Sequence, residues 1–251
     1  MIKDTELKST AAKYKVGLSK VERDYAQSWL LKHLNQINMA LKGGTGLRKV
    51  YFSEYRFSDD LDFTLLEDTD KNTLSRNIDN AVRNAKEESG INFLGLTNTK
   101  ETKTGYKFEI GFMISQTMNI QLDITEYSKE IVLLPVIERK INHIFSDNLN
   151  GTAKSYDIKE ILAEKVRTIF ERGFPRDLYD VGYLILHGIE IDKELLENKF
   201  KQRNVKMSFS QLELQKEKMR NAWITSLDSQ INPVPDFESF FKLVSERLQK
   251  I

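Results

Sequence analysis

Asp60 and Asp62 stand two residues apart in the segment RFSDDLDF. On a strand, positions i and i+2 share a face, so these carboxylates would lie side by side. Neighbouring carboxylates repel unless a cation sits between them. A hard divalent ion such as Mg²⁺ meets that need and keeps coordination sites for phosphate oxygens. A solvated polar strand face is the alternative reading of the same pair. Upstream, Gly43-Gly44-Thr45 forms a bend where backbone can approach an anion closely and a helix N-terminus can offer N–H groups. Thr45 adds a hydroxyl and is placed to cap the short helix that follows, which carries Leu47 and Val50. The P-loop spacing G-x-x-x-x-G-K-[ST] is absent, and Gly-Gly by itself is more often just a tight turn. In succession, a phosphate-holding bend and a metal-holding strand are the two halves of a nucleoside triphosphate site.

Asp123 is a third carboxylate on a strand pattern, with Ile120, Leu122 and Ile124 pointing the other way. It could bind a metal ion or accept a proton from an attacking hydroxyl. It is equally an exposed polar strand residue, and Glu109 and Glu126 compete for the role. Lys165 lies among Ile161, Leu162, Val166 and Ile169, either snorkelling to solvent or reaching a triphosphate. Asp177 and Asp180 share one helix face, and Arg176 and Asp177 could simply support that helix. His33, His143 and His187 are scattered, which points to core or surface positions. Lys199, Lys201, Arg203 and Lys206, followed by Lys216, Lys218 and Arg220, form the densest basic stretch. They could meet an RNA backbone, although a solvated helix face is the preferred reading. Phe200 and Phe209 nearby read as core.

The elements that must position these residues follow from periodicity. Residues 20–39 read as a helix, with Tyr25, Trp29, Leu30, Leu34 and Ile37 on one face and Asp24 as a candidate cap. A short strand over 39–41 stops at the glycines, and 60–66 alternates as a strand. Residues 70–88 form an amphipathic helix closed by Gly90. Strands are expected over 91–97, 106–114, 118–127 and 131–136. The polar loop at 148–151 is the expected domain boundary. Beyond it, helices are expected over 158–172, 177–187, 193–201, 210–227 and 237–248. The strands occur in consecutive runs, so the fold class is α/β (α+β), with a mixed, largely antiparallel sheet over 1–150 and a helical domain over 151–251.

Composition limits the partners. The 251 residues carry a net charge of +1, so nucleic acid contact must come from a local patch. There is no cysteine, which excludes disulfides and thiolate–zinc sites. No apolar run approaches the roughly 18 residues of a membrane span. The first ten residues, MIKDTELKST, contain no apolar signal core, and a cytoplasmic location is expected.

The segments VERDYAQSWLLKHL, LKGGTGLRKVY, RFSDDLDF and YDIKEILAEKVRTIFERGFPRDLYDVGYLI, in that order, resemble the AbiEii/AbiGii-type nucleotidyltransferase toxins. The resemblance covers most of residues 20–190. It implies a minimal nucleotidyltransferase domain of the DNA polymerase β type, followed by a helical domain contributing Lys165 and Asp180 to the cleft. The family's glycine-plus-hydroxyl motif falls on Gly43, Gly44 and Thr45, where many polymerase-β-type transferases have serine at the last position. Its S-x-D-x-D signature falls on Ser58, Asp60 and Asp62, its lysine on Lys165, and its later aspartate on Asp180. Asp123 fits the third carboxylate by strand context.

The resemblance also implies an activity. A two-Mg²⁺ site, with Mn²⁺ as an alternative, would sit on Asp60, Asp62 and Asp123. An NTP would be held by Gly43, Gly44, Thr45, Arg48, Ser58 and Lys165. Nucleoside monophosphate would pass to an RNA acceptor, tRNA by preference, with release of pyrophosphate. Asp180 would orient Lys165 or bind the sugar. The chain would be the toxin of a type IV toxin–antitoxin or phage-abortive-infection system, whose antitoxin need not touch it. A metal-dependent phosphoester hydrolase and a non-catalytic nucleotide- or RNA-binding regulator are the alternatives.

Overall fold

The aspartate-bearing strand lies near the middle of a seven-stranded sheet in a computed structural model that describes residues 1–251. The strands are β1 (Met39–Lys42), β2 (Leu61–Leu65), β3 (Asn92–Glu101), β4 (Gly105–Met113), β5 (Thr117–Thr125), β6 (Ile137–Lys140) and β7 (Thr152–Ser155). Their order is β3-β4-β5-β2-β1-β7-β6. β2 is antiparallel to β1 and parallel to β5, and β1 is parallel to β7. The β3–β4, β4–β5 and β6–β7 pairs are antiparallel. The sheet is therefore mixed and largely antiparallel, as its consecutive strand runs require.

Alternation explains which face is buried. Leu61, Phe63 and Leu65 of β2, Ile120, Leu122 and Ile124 of β5, and Phe108, Ile110 and Phe112 of β4 are all buried. Helices α2 (Leu18–Leu34) and α4 (Lys71–Ser89) pack on each other and on the sheet. α4 forms because Leu74, Ile78, Val82 and Ala85 recur on one face, and all four are buried. Its start is fixed by Asp70, whose carboxylate accepts from Asn72 N and Thr73 N at 2.9 and 3.0 Å. A further helix, α1 (Asp4–Tyr14), has no clear periodic signature in the sequence, since only Leu7 and Ala11 of its polar run are buried.

The chain divides into two compact units, Met1–Tyr156 and Asp157–Ile251. The first extends past the expected boundary at 150 because β7 belongs to the sheet. Ser155 Oγ donates to Leu41 O of β1 at 2.9 Å, and Tyr156 N does so at 3.0 Å. The strand expected over 131–136 falls instead at β6. Pro135 interrupts that apolar run and lacks the N–H a ladder needs.

The second unit is helical: α5 (Ile158–Arg172), α6 (Pro175–Leu186), α7 (Lys193–Gln202), α8 (Phe209–Leu227) and α9 (Phe237–Leu248). α5 is capped by Asp157, and α6 starts on Pro175 at its first position. Its core includes Leu162, Val166, Phe170, Leu178, Leu184, Trp223 and Phe241. The basic stretch is not one solvated face. Lys199 is fully buried, and its ammonium lies 2.7 Å from Glu160 and 3.1 Å from Glu164. Lys216 and Arg220 both pair with Glu238, whereas Lys201 and Lys206 are exposed. No helix is long and apolar enough to cross a membrane.

Candidate active site

β1 ends at Lys42, and the backbone turns at Gly43 with φ +68°, a left-handed conformation that suits glycine. A Cβ on Gly43 would overlap Asp62 Oδ2, so the missing side chain lets that carboxylate lie directly against the bend. A Cβ on Gly44 would come within 2.9 Å of both Arg56 Nη2 and Ser58 Oγ. The bend and the S-x-D-x-D segment are thus in contact through both glycines. Gly43–Gly46 make one helical turn, α3, which widens into a π-helical turn over Leu47–Tyr51. Such turns recur at functional sites.

Thr45 is not the cap of this turn. The turn starts two residues earlier, and Lys42 precedes it with no side-chain cap. Thr45 is fully buried, and its hydroxyl donates to the Asp60 carbonyl at 2.5 Å. It is a brace that ties the start of the aspartate strand to the bend.

Strand register assembles the carboxylates. Asp62 is the Cα partner of Asp123 on β5, of Lys42 on β1, and Asp123 in turn is the partner of Lys107 on β4. Register partners share a face. Lys42, Asp62, Asp123 and Lys107 therefore form one row of charges across four strands, with the two carboxylates in the middle. Lys107 Nζ lies 2.9 Å from Asp123 Oδ1 and 3.1 Å from Oδ2, and Gln121 Nε2 donates to Oδ2 at 2.8 Å. Lys42 pairs with the buried Glu130 at 2.8 Å.

Asp60, Asp62 and Asp123 supply hard oxygen donors, the chemistry that suits Mg²⁺ or Mn²⁺. Neighbouring strands lie about 4.8 Å apart, which puts Asp62 and Asp123 within reach of a shared ion. The cradle at Gly43 makes room for the Asp62 carboxylate, which a Cβ there would overlap. The donor set thus fits a divalent ion, although no three His, Cys, Asp or Glu side chains converge on one point as they stand.

Buried polar contacts fix the surrounding backbone. Asp59 turns away from its neighbours to Lys20 and Arg23 of α2, each at 2.7 Å. Burial pushes its carboxyl up, but the Lys20 and Arg23 contacts outweigh this and hold its pKa below the usual range. Gln27 Nε2 donates to the carbonyls of Ser58 and Asp59 at 3.2 and 2.8 Å.

Arg48 does not meet the expectation of a nucleotide contact. It is 2 % exposed, its guanidinium lies 3.7 Å from the Phe57 ring centre, and Nε bonds Asp24 at 2.5 Å. Asp24 also takes Lys49 at 2.8 Å, so both cations on the π turn are anchored in the core. Burial pushes the Lys49 ammonium down to about 8, against the pull of Asp24.

Within the second unit, Lys165 bridges Asp177 at 3.0 Å and Asp180 at 2.8 Å, and Arg172 also binds Asp177 at 2.8 Å. Both carboxylates are buried. Burial raises the Asp177 pKa, but Lys165 and Arg172 outweigh it and the net shift is downward.

The histidines are engaged elsewhere. His33 faces Glu88, His187 stacks on Tyr183, and His143 bonds Asp147 at 2.6 Å beside Tyr25 and Trp29. Sequence reasoning missed Lys42, Arg56 and Lys107. Lys42 and Arg56 immediately flank the two motifs, which is a usable signal, whereas Lys107 is reached only through strand register.

The glycine bend is thus packed against the D-x-D strand of a mixed sheet. The sequence profile described as "Nucleotidyl transferase AbiEii toxin, Type IV TA system" matches residues 28–245. The chain belongs to this family of AbiEii nucleotidyltransferase toxins. Membership makes it an enzyme and implies a nucleotide substrate and a cognate antitoxin. Among solved structures, the fold is similar to the MenT4 nucleotidyltransferase toxin of Mycobacterium tuberculosis, with a TM-score of 0.68 and 18% identity over 98% of this chain and 88% of that one. JHP933 from Helicobacter pylori gives a TM-score of 0.62 and 20% identity over 94% and 92% of the two chains. No curated protein sequence matches the chain.

Proposed function

We propose that the protein transfers a nucleoside monophosphate from an NTP to an RNA acceptor, tRNA by preference, and releases pyrophosphate. The observation that supports this most is the packing of the Gly43 bend against Asp62, whose register partner is Asp123. A triphosphate tail on the bend would then lie next to the carboxylates. Backbone N–H groups at Gly43–Thr45 and the Ser58 hydroxyl are the assigned phosphate contacts. Thr45 holds Asp60 in place through its carbonyl.

Asp60, Asp62 and Asp123 would hold Mg²⁺, or Mn²⁺ in its stead. A divalent ion bound there would polarise the α-phosphate and make the acceptor hydroxyl more acidic. The acceptor oxygen attacks the α-phosphorus as its bond to the bridging oxygen breaks, and pyrophosphate leaves. Asp123 is assigned the acceptor side and receives the hydroxyl proton. Lys165 is assigned to the charge of the triphosphate, with Asp180 as its orienting partner, on the family resemblance and the 2.8 Å contact between them. In this account the protein is a cytoplasmic growth-arresting toxin, opposed by an antitoxin that need not touch it.

The test is incubation of the protein with each of the four α-labelled NTPs and total RNA, with Mg²⁺ or with chelator. Label entering an RNA band only with Mg²⁺ supports the proposal. Free monophosphate with no labelled acceptor would replace it by a metal-dependent phosphoester hydrolase.

A further inference from the structure

We propose that Lys107 is an internal counter-ion that occupies Asp123 and must be displaced before the carboxylates can share a divalent ion. This rests on the assignment of Asp60, Asp62 and Asp123 as the metal-holding set.

The row across the sheet has charges +, −, −, + in the order Lys42, Asp62, Asp123, Lys107. Two carboxylates in register on adjacent strands need positive charge nearby. Lys42 at one end of the row also pairs with Glu130, a buried carboxylate on a different segment. At the other end the Lys107 ammonium straddles both oxygens of Asp123, at 2.9 and 3.1 Å. Gln121 holds one of the same oxygens from the adjacent row, at 2.8 Å. Both oxygens of Asp123 are therefore engaged by side chains on its own sheet. No three carboxylates converge in this arrangement.

Lys107 is itself 44% exposed at the side chain, so it can swing off without leaving a buried charge behind. A divalent ion carries twice its charge and can replace it. The ammonium would then stay near the site as a mobile cation. Lys107 is in this sense a positioning residue. It keeps Asp123 ordered without metal and sets how much free divalent ion is needed to assemble the site.

The experiment is calorimetric titration of Mn²⁺ alone into the full chain as wild type, Lys107→Met, Lys107→Arg and Asp62→Ala. Lys107→Met should bind Mn²⁺ about two- to fivefold more tightly, the factor represented by a half-exposed ion pair. Lys107→Arg restores a bidentate cation and should bind no more tightly than wild type. Asp62→Ala should lose the binding. If Lys107→Met titrates like wild type while Asp62→Ala fails to bind, Lys107 is an ordinary surface ion pair and the inference is overturned. If wild type shows no Mn²⁺ binding that depends on Asp62, the carboxylate assignment falls, and this inference falls with it.

Discussion

Replacing Gly43 by alanine probes the contact on which the site depends. The residue sits at φ +68°, and an added Cβ would overlap Asp62 Oδ2. The left-handed conformation costs a residue with a Cβ about 1–2 kcal/mol. Turning Asp62 aside costs roughly another 0.5–1.5 kcal/mol in rotamer strain. Together these predict a loss of about 2–3 kcal/mol, or a Tm about 5–10 °C lower for a unit of this size. Transfer should fall further than stability, because a displacement of about 1 Å at a reacting group can cost on the order of 10²-fold. The two costs separate in an Asp62→Ala background. There the Cβ has no carboxylate to meet, and Gly43→Ala should cost only the backbone part. Denaturant unfolding of the four proteins of that cycle should give a coupling of about 1 kcal/mol. Equal costs of Gly43→Ala in both backgrounds, or wild-type transfer by the single variant, would refute the packing argument.

Three other substitutions test the supporting contacts. Thr45→Val keeps the shape but leaves the Asp60 carbonyl without its donor; it should lower unfolding free energy by about 1–3 kcal/mol and reduce transfer, while Thr45→Ser keeps both. Arg48→Met removes a buried partner of Asp24 and should cost about 3 kcal/mol in denaturant unfolding, with KM for NTP unchanged in the folded protein. Lys49 has a folded pKa lowered from 10.5 to about 8. The folded state therefore binds fewer protons than the unfolded state between those values, and stability gains a contribution as pH rises through that window. Scanning Tm from pH 7 to 10 should show a rise in wild type relative to Lys49→Met; parallel curves would refute the buried-ammonium account.

Much of the first unit was legible because its signals are local. The 3.6-residue period of Leu74, Ile78 and Val82, the Asp70 cap and the alternation of Leu61, Phe63 and Leu65 all survive into the structure. The proximity of bend and carboxylates was legible only as a consequence of motif order, and the structure supplies its physical form in the Gly43–Asp62 contact. What failed was non-local. The four residues of β7 hold a single apolar side chain, Ala153, too little alternation to read, and their strand pairs with β1, where Leu41 offers its carbonyl. Arg48 follows the glycine motif like a phosphate ligand, yet Asp24, 24 positions away, draws it into the core. Lys199 belongs to a basic run by sequence and to a buried ion cluster by helix packing. Lys107 and Asp123 are 16 residues apart, and only the β4–β5 register makes them partners.

The central claim is that Asp62, lying against the glycine bend, and Asp60, held through its carbonyl by Thr45, carry out nucleotide transfer. Its most direct measurement compares wild type with Asp60→Ala and Asp62→Ala for incorporation of α-labelled against γ-labelled NTP into acceptor RNA. The account predicts α-label alone in the wild-type product, one pyrophosphate released per label, and no product from either variant while both still unfold cooperatively. Transfer of γ-label, or α-label transferred at an undiminished rate by either folded variant, would contradict it.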